Sequence, residues 1–245
     1  MIDDVVSILN LGRSEAAKLL SRWTEQGWLR RVGCGAYVPA PVDALDRPFV
    51  LEDPWVLVPA LFDPAYIGGW SAASHWDLTE QLFRDTVVLT SQQIREKHQS
   101  RHGARFLLRH IQTRHIFGTK SIWRGKSKVA ISDIHRTVID MLDTPSIGGG
   151  IQHVTDCLKS YFRHSSRSDE TLILYAERLG NGSVFKRLGY LAEMCDAGED
   201  LQNACREHMT AGLAKLDPGL DCTSSVTKWR LLMPESWRQE SHHDQ

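Results

Sequence analysis

The 245-residue chain contains no run of about 20 apolar residues, so no stretch of it can cross a bilayer as a helix. Its opening, from Met1 to Asn10, is acidic and already periodic, unlike the basic and then continuously apolar pattern of a secretory signal. The expected compartment is the cytoplasm, with no membrane partner. Cysteine is sparse and odd in number: Cys34, Cys157, Cys195, Cys205 and Cys222, with no CxxC spacing. That pattern gives neither a disulfide framework nor a zinc finger, and fits free thiols in a reducing compartment. There is no GxxxxGK[ST] phosphate loop, no GxSxG elbow and no HExxH pair. His98 and His102 stand four apart, a spacing able to hold a metal on a helix, but without a clustered carboxylate. Glu96-Lys97 lacks the intervening residue of an ExK nuclease pattern, and Asp133, Asp140 and Asp143 lack a supporting lysine motif. The expectation is therefore a protein without catalytic residues, metal or cofactor, and not an enzyme. The alternatives are a DNA-binding nuclease whose metal site has no recognisable pattern, or an interaction module.

What the chain has is an ordinary globular composition, 42% apolar and 24% charged, enough for one or two domains. Its net charge is only -1, but the sign is segregated. From Arg95 to Lys128, ten basic residues face Glu96 alone, a local balance of +9 that leaves -10 for the remainder. Such segregation favours a surface for a polyanion.

Val5, Val6, Ile8 and Leu9 read as a short amphipathic helix broken by Gly12. Ser14 is the expected N-cap of a second helix reaching about Gln26, with Ala16, Leu19, Leu20 and Trp23 inward and Gly27 closing it. Two strand-like runs around Gly33-Cys34-Gly35 then read as a hairpin. Pro39, Pro41, Pro48 and Pro54 mark a linker. Further on, strands are expected at Thr86–Thr90, Ala104–Ile111 and Lys128–Ile131, and a helix capped by Ser132 or Asp133. A helical half follows, including a helix over Leu201–Leu216, then a strand over Trp229–Met233.

Helix, tight turn, helix and hairpin is the order of a winged helix-turn-helix. On the second helix, Glu15, Lys18, Ser21, Arg22 and Glu25 point outward, and Arg13 precedes it. Arg13, Ser14, Lys18 and Arg22 are the expected DNA contacts, with Arg30 and Arg31 on the wing. This segment is close to neutral and one helix short of the usual three. The added affinity is expected from Arg101, Arg105, Arg109, Arg124, Lys126 and Lys128. Arg105 and Arg109 are four apart and so share a strand face.

Three stretches resemble the AbiEi family of antitoxins from bacterial type IV toxin–antitoxin systems: LRRVGCGAYV in the hairpin, GGWSAASHWDLTEQ from Gly68 to Gln81, and KVAISDIHRTVIDML from Lys128 to Leu142. VFKRLGYLAE, from Val184 to Glu193, also fits. The chain departs from the family at His135, where an acidic residue is expected. The resemblance implies a two-domain repressor that binds promoter inverted repeats as double-stranded DNA. It also implies antagonism of a nucleotidyltransferase-like toxin, functional rather than by stable contact. The expected fold is α+β: a small N-terminal winged helix-turn-helix over 1–46, and a larger mixed α/β domain over 47–235 with a helical C-terminal half. A disordered tail is expected over 236–245, and a monomer or weak dimer in solution.

Overall fold

The computed structural model describes residues 2–33, 35–40, 53–125 and 127–240, and they form a mixed α/β fold with several sheets. The chain divides into two compact units, each assembled from separate stretches. The first takes Met1–Tyr66, Arg84–Thr113 and Ser121–Ala130, and the second takes Ile67–Phe83, Arg114–Lys120 and Ile131–Gln245. The boundary expected between residues 46 and 47 lies outside the described residues, as do Pro41, Pro48, Cys34, Lys126 and the final five positions.

The first unit opens with helices α1 (Ile2–Leu9) and α2 (Arg13–Glu25), then the antiparallel strands β1 (Leu29–Gly33) and β2 (Ala36–Pro39). The cap of α2 corrects the sequence expectation. Gly12 is the N-cap, and Glu15 reaches back to accept its backbone N–H at 3.2 Å, which draws Ser14 inside the helix. At the other end, Gly27 takes the left-handed backbone (φ +77°) that closes the helix. A short helix α3 (Val58–Phe62) packs on β1 and β2 and also on β4 (Thr86–Thr90). Beyond it come β5 (His98–Arg101) and β6 (Ala104–His110), with β6 parallel to β4 and antiparallel to β5. Phe62 and Phe106 meet edge-on at 5.1 Å, an apolar anchor for α3 on this sheet.

The main sheet adds β3 (Ala65–Ile67), β7 (Thr119–Arg124) and β8 (Ser127–Ser132), in the order β5-β6-β4-β3-β8-β7. Three of these strands, β3, β5 and β7, went unforeseen. β5 and β7 are polar and mostly exposed, so they carry little apolar alternation.

The second unit holds α4 (Gly69–His75), α5 (Ile134–Asp143), α6 (Ile151–Arg163), α7 (Asp169–Leu179), α8 (Gly182–Met194) and α9 (Glu199–Glu207). A small sheet of β9 (Ala214–Lys215), β10 (Ser224–Val226) and β11 (Leu231–Met233) follows, then α10 (Glu235–Glu240). The helix expected over 201–216 stops at Glu207. Backbone pairing of Ala214 with Arg230 and of Leu216 with Leu232 takes the chain into the sheet instead. The strand expected from Trp229 begins at Leu231, and Trp229 sits in a 3-10 turn. The stretch 236–240, expected as the start of a disordered tail, is helical, because Trp237 is buried there.

Two arginines organise this unit's interior. Arg187, 3% exposed, donates to the carbonyls of Leu142, Asp143, Lys215 and Leu216 at 2.7–3.2 Å. It thereby satisfies the C-terminal end of α5 and an edge of the small sheet together. Arg136 is fully buried, pairs with Asp140 one turn on at 2.8 Å, and lies 4.1 Å from the Phe117 ring. Arg178 also stands 4.1 Å from that ring, so Phe117 meets two guanidinium groups. Asp133 caps α5 by accepting from the Arg136 N–H at 2.8 Å and takes the Tyr175 hydroxyl on its other oxygen. The Ser132-to-Asp140 run is thus a folding device. Packing is tight elsewhere too: a Cβ on Gly189 would stand 2.0 Å from the Trp229 ring.

Replacing Arg187 by Met strands several buried carbonyls and is expected to cost about 3 kcal/mol or more in a denaturant titration. Replacement by Lys should rescue little, because an ammonium cannot fork to four carbonyls. Burial lowers the His135 pKa below its ordinary 6.5, and its Nδ1 lies 2.8 Å from the Tyr161 hydroxyl. Protonation then favours the unfolded chain, so this residue's contribution is complete above pH 6.5 and lost as pH falls below it. The expected result is a thermal midpoint that drops from about pH 7.5 to about pH 5.5, and drops less in His135→Gln.

Candidate nucleic-acid interface

The α2 sequence alternates its faces at helical spacing, and the packing follows. Ala16 and Leu20 are buried, while Glu15, Lys18, Ser21, Arg22 and Glu25 are all exposed. Arg13 starts the helix and pairs with Asp3 at 3.2 Å, both groups in solvent. Arg30 and Arg31 are exposed on β1, opposite Val38 and Tyr37. The turn of this hairpin is tied to α1, since the Ile2 N–H donates to the Gly35 carbonyl at 2.9 Å.

The basic middle segment is divided: residues 95–113 and 121–128 belong with these elements to the first unit, whereas Arg114 and Lys120 fall in the second. Every described residue expected to contact DNA falls within the three stretches of the first unit. The link is concrete: His102, between β5 and β6, places its Nε2 2.8 Å from the Val32 carbonyl of β1. The contact ties the turn after β5 to β1, the strand that carries Arg30 and Arg31. By sequence, the stretches of the first unit carry 15 basic and 11 acidic residues, net +4, whereas those of the second carry 14 and 19, net -5.

The expected contacts differ in how far they are committed elsewhere. Lys18, Arg22, Arg30, Arg101 and Lys128 are exposed. Arg105 lies 2.7 Å from Asp85, which also receives His98 at 3.4 Å. Arg109 is half-buried on β6. Arg124 stacks over Trp55 at 4.3 Å and stands 3.7 Å from Asp53, so part of its charge serves the fold. Lys126 lies outside the described residues.

Sequence reading missed two contributors. His102 joins the hairpins across 70 positions of chain, which no local pattern signals. Trp123, on β7 beside Arg124, is 69% exposed, an aromatic face in a basic hairpin. An exposed aromatic inside a run of cations was the visible sign.

The carboxylates weighed for metal chemistry are otherwise engaged. Asp133 caps α5, Asp140 holds Arg136, and Asp143 accepts from Asn181 at 2.6 Å. Among the described residues, no three His, Cys, Asp or Glu side chains gather as a metal site would require. His98 and His102 are not on a helix; they sit on β5 and in the turn after it.

No family model matches the chain, and no curated protein is similar to it in sequence. Among solved structures, it is similar to the Rv2827c protein of Mycobacterium tuberculosis, with 13% identity and a TM-score of 0.57. The match covers 90% of this chain and 82% of that one. At that identity the likeness is one of fold alone.

If the imidazole joins the hairpins, His102→Ala should speed amide exchange around residues 29–33 and 98–104. Global stability should fall by only about 1 kcal/mol. Unchanged exchange on either hairpin would show that they are held together by something else.

Proposed function

We propose that this chain binds double-stranded DNA through the first unit and acts as a transcriptional repressor, the antitoxin of a type IV toxin–antitoxin operon. In this reading α1, α2 and the β1–β2 hairpin form a winged helix, and α3, packed on the hairpin, supplies the third helix. α2 enters the major groove with Lys18 and Arg22 toward the bases, and its N-terminus with Arg13 and Ser14 toward phosphate. Arg30 and Arg31 grip the backbone as a wing. The observation that carries the reading is that cations from three distant stretches belong to one compact unit, two of those stretches being joined by the His102–Val32 contact. It answers the near neutrality of the N-terminal segment taken alone.

The antitoxin assignment rests on the resemblance to the AbiEi family. Toxin control would come from repression of the shared operon, with promoter inverted repeats as the target. Repeats suit a dimer or two monomers side by side.

A gel-shift assay with the native upstream region and a scrambled control tests this. The wild type should prefer the upstream DNA. Lys18→Glu with Arg22→Glu should weaken binding at least a hundredfold while leaving circular dichroism unchanged. Undiminished binding would overturn the placement of α2. Trp123→Ala should weaken binding several-fold without changing the salt slope, because it removes uncharged contact with the duplex backbone and no charge.

A further inference from the structure

We infer that the groove between α7 and α9 is the docking site for a cationic amphipathic helix of a partner protein. The groove has a volume of about 400 Å³. Its apolar lining is Ile173, Leu174, Leu201 and Ala204, and its rim carries Asp169, Glu170, Glu177 and Asp200.

Two features single it out. Leu174, 57% exposed on α7, lines the same groove as Ile173, Leu201 and Ala204, so it extends a contiguous apolar patch rather than standing alone. Acidic residues in the first turn of each helix favour the helix dipole, which accounts for Asp169, Glu170 and Asp200 singly. It accounts neither for the apolar floor between them nor for Glu177, in the last full turn of α7. Asp169 is partly met by Arg167 at 2.7 Å, and Glu177 by His208 at 3.1 Å. Glu170 and Asp200 are exposed.

An apolar trough between acidic edges is complementary to a helix with leucine-like anchors at i, i+3 or i+4 and lysine or arginine flanking them. The net charge of -5 on the second unit steers a basic partner toward it. The chain's own α2 is unsuited, because its apolar stripe is already used to bury Ala16 and Leu20. The acidic lining and the net charge of the second unit favour a basic helix of a different protein. This inference does not rest on DNA binding, which belongs to the other unit.

The probe is a fluorescein-labelled 18-residue synthetic helix with leucine on one face and lysine on the other, titrated with the full chain by anisotropy. The expected result is saturable binding. Leu174→Asp should abolish it, and Glu170→Lys with Asp200→Lys should weaken it at least tenfold. These positions are exposed, so circular dichroism should be unchanged, and so should the gel shift with upstream DNA. Equal binding by wild type and Leu174→Asp would reduce the effect to general charge attraction and overturn the inference. So would no binding, or binding by a version with glutamate in place of lysine. A sedimentation dimer of the chain alone that Leu174→Asp dissolves would assign the groove to a second copy, and would overturn it too.

Discussion

Like charges brought into one compact unit repel, and the first unit, net +4 by sequence, is built under that constraint. In water, two unit charges 4 Å apart interact by only about 1 kcal/mol, and salt reduces this further with distance. A fold can therefore collect cations if it keeps them solvated and lets uncharged contacts hold the frame. The first unit does so. Lys18, Arg22, Arg30, Arg101 and Lys128 remain exposed, while Phe62 on Phe106 and the His102–Val32 contact hold the elements. Asp85 and Asp53 receive Arg105 and Arg124 locally.

The second unit uses arginine in the opposite way. Arg187 and Arg136 are buried, and each meets acceptors that the backbone or a carboxylate supplies from helix ends and strand edges. One residue type thus has two roles, set by burial. On the first unit it presents charge; in the second it closes hydrogen-bond deficits that an apolar residue would leave open. The Ser132-to-Asp140 run, the most motif-like stretch of the chain, belongs to this second role.

Local pattern carried much of the fold. The α1–α2 pair, the first hairpin, β4, β6, β8 and α5 follow from periodicity, glycine placement and capping chemistry. What it did not carry depends on distant partners. β5 and β7 lack apolar alternation because they are largely exposed, and β9 forms only because Ala214 and Leu216 find Arg230 and Leu232. Gly12 takes the cap in place of Ser14, with Glu15 reaching back to accept its N–H. At the candidate interface, the cations were visible one by one. Their assembly into one unit was not, since it depends on contacts between distant stretches, α3 on β1, β2 and β4 and His102 on a carbonyl 70 positions away.

The central claim is that α2, the first hairpin and the basic middle segment act as one DNA surface. Its most direct test is the slope of log affinity against log salt for the full chain on its upstream DNA. Arg13, Arg30 and Arg31 alone would meet three phosphates, giving a slope of about -2.7 per bound chain. A joint surface predicts a distinctly steeper slope per bound chain. A slope of about -2.7 per chain or shallower would confine binding to the N-terminal elements and contradict the account.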